Sequence, residues 1–363
     1  MLSYDRCVEN LADVLVGYST SVKKGDNVFI FSTPLCAPLI KQVYKKILLK
    51  GANPVVRLSL PGLQNIFYDC ATDKQISYVP KFELYEARHM DVRIFIAGDT
   101  NLRSMANVDS KKLALSAKAR RKVRNLLEGK RWSVTIFPTD AHAQEAGMST
   151  DEFADFVFKA TFADTANPVK KWQDFHKSHI ARANFLNKAR DVRIINNGTD
   201  LKMSVKGRKF IISSGTHNMP SGELFTGPVE NTVNGHMKFS FPALHNGKRI
   251  EGLELDFKDG KVVKATAAKN QDYFIKTIDM DEGSRFVGEL GIGTNYGIQK
   301  FTSHTLFDEK IGGTVHIALG ASYPETGGKN KSALHWDLIT DMRTGGEILV
   351  DGKVFQKNGK FMR

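Results

Sequence analysis

Two segments near the C-terminus carry the residue types from which a metal site is made. Gly-Gly-Thr-Val-His-Ile-Ala-Leu-Gly at 312–320 is followed, across a glycine-containing loop, by Ser-Ala-Leu-His-Trp-Asp-Leu-Ile at 332–339. Side chains of a strand alternate between its two faces. Val315, Ile317 and Leu319 therefore share an apolar face, and His316 lies on the other with Thr314, Ala318 and Gly320. In the second run Leu334, Trp336 and Leu338 form the buried face, so His335 and Asp337 point the same way as each other. Imidazole nitrogen and carboxylate oxygen together suit zinc and similar first-row ions. Any one of these residues could line a solvated sheet face; the set together reads as a site.

Carboxylates able to complete such a site lie upstream. Pro-Ser-Gly-Glu-Leu-Phe-Thr-Gly-Pro at 220–228 sets Glu223, and Val-Gly-Glu-Leu-Gly-Ile-Gly-Thr-Asn at 287–295 sets Glu289, each in a short extended piece bounded by turn residues. Glycine neighbours permit close approach of another chain or of a ligand. Asp308 and Glu309, in Leu-Phe-Asp-Glu-Lys, either add to the site or flank a turn, and rank below the other two acids.

In order and spacing, these segments resemble the M29 aminopeptidases, the thermophilic aminopeptidase T group. The resemblance runs from Ser-Gly-Glu-Leu-Phe-Thr through Gly-Glu-Leu-Gly-Ile-Gly-Thr-Asn, Leu-Phe-Asp-Glu-Lys-Ile-Gly-Gly-Thr-Val-His-Ile-Ala-Leu-Gly, Tyr-Pro-Glu-Thr-Gly-Gly and His-Trp-Asp-Leu-Ile to the last Asp-Gly. Phe-Pro-Thr-Asp-Ala-His-Ala-Gln-Glu-Ala-Gly-Met-Ser at 137–149 extends it over nearly the full length. It implies two divalent metal ions, whether zinc, cobalt or magnesium, held by Glu223, Glu289, His316, His335 and Asp337, with Tyr323 close by. It also implies peptide substrates with a free N-terminus and a homodimer. The loop between Gly320 and His335 is shorter than in some members, which leaves the rim of the site less defined than its floor.

Two neighbouring cations can acidify a water and polarise a peptide carbonyl. Within the implied set, Glu289 is expected to bridge, Glu223 and His335 to serve one ion, and His316 and Asp337 the other. Tyr323 is placed either to donate to an oxyanion, a contact worth about 3 kcal/mol in other hydrolases, or to pack beside Pro324.

The elements that must position these groups suggest two domains, an α/β domain over 1–190 and a strand-rich α+β catalytic domain over 191–363. At 363 residues the chain exceeds what one core usually serves. Apolar runs at Asn27–Ser32, Pro54–Leu60, Asp91–Gly98 and Trp132–Pro138 alternate with helical patterns at Ala37–Leu49, from Asp109 to Glu128, and after the capping box Ser149–Glu152. That alternation predicts a mostly parallel sheet. A helix carrying Trp172, Phe175, Ile180 and Phe185 leads to Asp191, where hairpin turns such as Asn197-Gly198 and Asp259-Gly260 begin, with one further helix near Gln271–Asp281. Phe31-Ser-Thr-Pro-Leu-Cys36, after the first strand, has no phosphate-loop spacing, so a nucleotide site is unsupported.

Cys7, Cys36 and Cys70 form neither a disulfide framework nor a metal motif, and read as reduced core thiols. No apolar run spans a bilayer, which together with the thiols points to the cytoplasm and away from membranes. The net charge of +13 is concentrated in the segment 109–132. This is the feature that speaks for a rival class, a nucleic-acid-binding protein, but aromatic interleaving is poor and the segment reads as a solvated helix face. A second rival keeps the metals and changes the reaction to that of an amidohydrolase or phosphoesterase.

Overall fold

The computed structural model describes residues 2–362 and divides the chain into two compact units, one of residues 1–171 with 215–220, the other of residues 172–214 with 221–363. The change of composition at Asp191 marks where strands begin. The division falls earlier, inside the helix Pro168–Leu186, because that helix's C-terminal part packs in the second unit: Ala183 and Leu186 join its core, and Phe185 stacks on Phe355 at 5.7 Å.

In the first unit β1 (Asn27–Ser32), β2 (Asn53–Leu58), β3 (Val92–Ala97) and β4 (Arg131–Ile136) pair in parallel in the order β2-β1-β3-β4, and the two-residue strand Asn218–Met219 extends the sheet beside β4. Val28, Ile30, Val92, Ile94 and Ile96 are fully buried, as strands covered by crossover helices require. Helix Ala37–Leu49 ends before Gly51, whose φ of +71° closes the turn.

The basic segment is not one helix. It forms Ser110–Ala119, capped by Asp109 accepting from Lys111 N, and then Arg121–Leu127, with a break at Arg120. No proline or glycine causes that break. The Arg120 guanidinium lies at the break, 3.0 Å from Ser116 Oγ and 3.4 Å from the Glu83 carboxylate. Cys7 and Cys36 are buried free thiols, whereas Cys70 is exposed and fills no core.

The second unit holds an antiparallel eight-stranded sheet and a five-stranded sheet around one apolar core. The five-stranded sheet carries the candidate site. Its strands β5 (Glu223–Thr226), β6 (Val287–Gly293), β7 (Thr314–Gly320) and β8 (His335–Asp341) run in the order β8-β7-β6-β5, with Ile211–Ser213 at the edge beyond β5. Leu290, Ile292, Val315, Ile317, Leu319, Trp336 and Leu338 fill the core from one face. Among the described residues, no helix is long and apolar enough to cross a membrane.

Candidate metal centre

The opposite face of that sheet gathers all five implied ligands. Antiparallel pairing sets Gly293 opposite Glu223, Gly291 opposite His316, Ala318 opposite both Glu289 and Asp337, and Gly320 opposite His335. Paired residues project on the same side, so each large polar side chain faces a glycine or alanine on the neighbouring strand. That small-residue lattice is what makes room for the site. Glu289 is not in a short piece bounded by turns, as its glycine-rich surroundings suggest. It sits within β6, a strand buried throughout between β5 and β7.

Two groups of donors result, sharing one residue. His316 Nε2 is 3.3 Å from Glu289 Oε1 and 3.4 Å from Glu223 Oε2. His335 Nε2 is 3.5 Å from Glu289 Oε2 and 3.5 Å from Asp337 Oδ1. Within each group one atom per residue lies within 4.8 Å of the others. The geometry thus corrects the expected grouping: Glu223 stands with His316 from either side of β6, and Asp337 stands with His335, two residues along the same strand. The two oxygens of Glu289 face the two groups separately.

The spacings fit a divalent ion better than direct ion pairs. Charge-assisted N–H···O bonds close to about 2.7–2.9 Å, whereas two donors on a tetrahedral ion at about 2.1 Å stand about 3.4 Å apart. The imidazoles are also turned correctly. His335 Nδ1 lies 2.9 Å from Ala321 O, so Nδ1–H donates to that carbonyl and leaves Nε2 for the carboxylates. Of the His316 nitrogens, Nε2 faces the acids while the buried Nδ1 has no hydrogen-bond partner.

Electrostatics express the same excess of negative charge. Burial disfavours charge on His316, but the hydrogen bond to Glu289 and the field of Glu223 push its pKa up to about 9. Against the same burial, Asp337 and Glu289 push His335 up to about 10. Burial raises Glu289 above the ordinary carboxylate range, its bond to His316 opposing. Asp337 is held well below that range: burial acts against its charge, and His335 outweighs burial. The buried carboxylates raise the proton affinity of both imidazoles, the relation expected where metal binding would displace protons.

Tyr323 lies at the rim, its ring 5.1 Å from that of His335 and 5.5 Å from that of Phe225. Burial, then Glu289 and Asp337, raise its pKa, so the hydroxyl keeps its proton and remains a donor.

The pair Asp308-Glu309 divides between the two roles open to it. Asp308 turns away and accepts from Thr302 N and Oγ1, at 2.7 and 2.9 Å. Glu309 faces inward: burial first, with the fields of Asp337 and Glu223, pushes its pKa up to about 8. Lys310, which the sequence reading passes over, is fully buried beside Glu309 with Nζ 3.7 Å from Glu223 Oε1. Its only sequence signal is its place directly after that acidic pair.

A parallel α/β unit joined to a strand-rich unit with two carboxylate–imidazole clusters is the arrangement of a metal-dependent enzyme. The family model for thermophilic metalloproteases (M29) matches residues 4–361, and the chain belongs to that family. It is 26% identical to aminopeptidase 2 of Geobacillus stearothermophilus, with 97% of this chain and 96% of that protein covered. It is 25% identical to aminopeptidase AmpS of Bacillus subtilis over 97% of each. The solved structure of wild-type AmpT from Thermus thermophilus superposes with a TM-score of 0.85 at 22% identity, covering 99% of this chain and all of that one, which shows the shared fold.

Proposed function

We propose that the protein is a metallo-aminopeptidase that removes the N-terminal residue from peptides at a centre for two divalent ions. The observation carrying this reading is the pair of donor groups that share Glu289. In it Glu223, His316 and one Glu289 oxygen hold one ion; His335, Asp337 and the other Glu289 oxygen hold the second. The ions, drawn from zinc, cobalt or magnesium, supply an acidified water and an electrophile for the peptide carbonyl. Ala321 O orients His335, and the small residues facing the ligands keep the floor open. The Tyr323 hydroxyl donates to the oxygen that gains charge as the carbonyl is attacked.

The named aminopeptidases among its relatives support the substrate class, a peptide with an unblocked amine. A cytoplasmic homodimer belongs to the same reading, on the strength of the family resemblance and the free thiols. The test is elemental analysis of purified protein joined to an assay of an unblocked dipeptide, its N-acetylated form and a phosphate ester. Amino-acid release from the unblocked dipeptide alone, lost on chelation and restored by metal, is the expected outcome. Equal turnover of the acetylated peptide or of the ester overturns the reading.

A further inference from the structure

An ammonium group with no exposure to solvent is costly unless it is paired. Lys310 is such a group, and it sits behind the candidate centre with Glu223 and Glu309 as its acidic neighbours. The two oxygens of Glu223 have different partners: Oε1 faces Lys310 Nζ at 3.7 Å, and Oε2 faces His316 Nε2 at 3.4 Å.

Both ends of this contact are fixed by backbone. Lys310 O accepts from Asn295 N at 3.0 Å, and Asn295 Nδ2 donates to Ser221 O at 2.8 Å. Thr294 N donates to Gly222 O at 2.9 Å. Gly222, at φ +127°, lies so close to Asn295 that a Cβ there would meet the Asn295 Cβ at 2.6 Å. The segment before Lys310 is anchored by the Asp308 carboxylate on Thr302. Lys310 and Glu223 are therefore held near each other through Thr294 and Asn295, the residues that follow β6, independently of any ion.

We propose that Lys310 is a positioning residue that reserves Glu223 Oε1 for its own ammonium and so makes Glu223 a one-oxygen ligand. This rests on the two-ion reading above. A carboxylate free at both oxygens can chelate one ion with both, which raises the coordination number and closes a position that substrate needs. Lys310 opposes that from 3.7 Å, because its buried ammonium stands on the Oε1 side of Glu223, where an ion chelated by both oxygens would meet a like charge.

The test is titration of metal-free protein with Co²⁺, read by visible absorption, for the wild type and Lys310→Met. High-spin Co²⁺ absorbs more weakly as its coordination number rises. The expected result is a variant with wild-type circular dichroism and the same stoichiometry, whose absorption per ion falls at the band belonging to the Glu223 group. An unchanged spectrum overturns the proposal, as does loss of both ions in a folded variant, since that is the mark of a structural part alone. Should Lys310→Met fail to fold, Lys310→Leu, which also has no donor for Glu223, decides: a weakened band supports the proposal and a wild-type band overturns it. Wild-type protein that binds no Co²⁺ instead overturns the two-ion reading itself, which keeps the two failures apart.

Discussion

Gly291 lies directly beneath the His316 imidazole: a Cβ built on Gly291 would stand 2.0 Å from both Nε2 and Cε1 of the ring. No side chain larger than hydrogen can occupy that position while His316 points at Glu223 and Glu289. Gly291→Ala is therefore expected to displace His316, at about 1–3 kcal/mol of overpacking cost. Ion binding in the His316 group should be lost and the His335 group retained. Thermal melts and metal stoichiometry of the dialysed variant check this; two tightly held ions in Gly291→Ala would refute the close packing.

Glu289 faces both groups, Oε1 toward His316 and Oε2 toward His335. An amide has one oxygen and no charge, so it cannot serve two cations at once. Glu289→Gln should bind both ions more weakly than the about 100-fold penalty typical of losing an outer partner, and activity should fall with the metal. Chelator competition on folded protein measures it. Retention of either ion at wild-type affinity contradicts the shared position.

Period-two alternation alone made the metal face legible, since it sets His335 and Asp337 side by side and His316 away from Val315 and Ile317. The joining of Glu223 to His316, and of Glu289 to both groups, was not legible, because it depends on which strands distant in sequence lie side by side. Gly291 could have been paired with His316 only by knowing that register. Lys310 belongs to no periodic face; its burial follows from a loop held by Asp308 and Asn295. The strand-and-helix alternation of the first unit was readable from apolar runs. The break at Arg120 was not, and neither was the membership of Phe185 in the second unit, which arises from a tertiary contact with Phe355.

Tyr323 touches the site through its ring, edge-on to His335 and Phe225. Tyr323→Phe preserves that ring packing and removes only the hydroxyl. The expected effect is a fall in kcat of about 10²-fold or more, with KM and metal content little changed, the pattern for a donor used chiefly in the transition state. Full turnover in the variant would leave Tyr323 as a packing residue.

Asp308 is buried, and burial pushes its pKa up to about 7 although Thr302 donates to it from N and Oγ1. A carboxyl whose folded pKa stands above its unfolded value of about 4 favours the folded state fully only below that unfolded value. Its contribution is then lost as pH rises to about 7, because over that range the unfolded carboxyl ionises while burial keeps the native one protonated. Asp308→Asn keeps an acceptor for Thr302 and cannot ionise. Relative to that variant, the wild type should lose stability between pH 4 and 7, by up to about 4 kcal/mol. Melting curves of both metal-free proteins across that range test it. Parallel curves would mean that the two Thr302 hydrogen bonds hold the Asp308 carboxylate ionised throughout, in which case they outweigh burial.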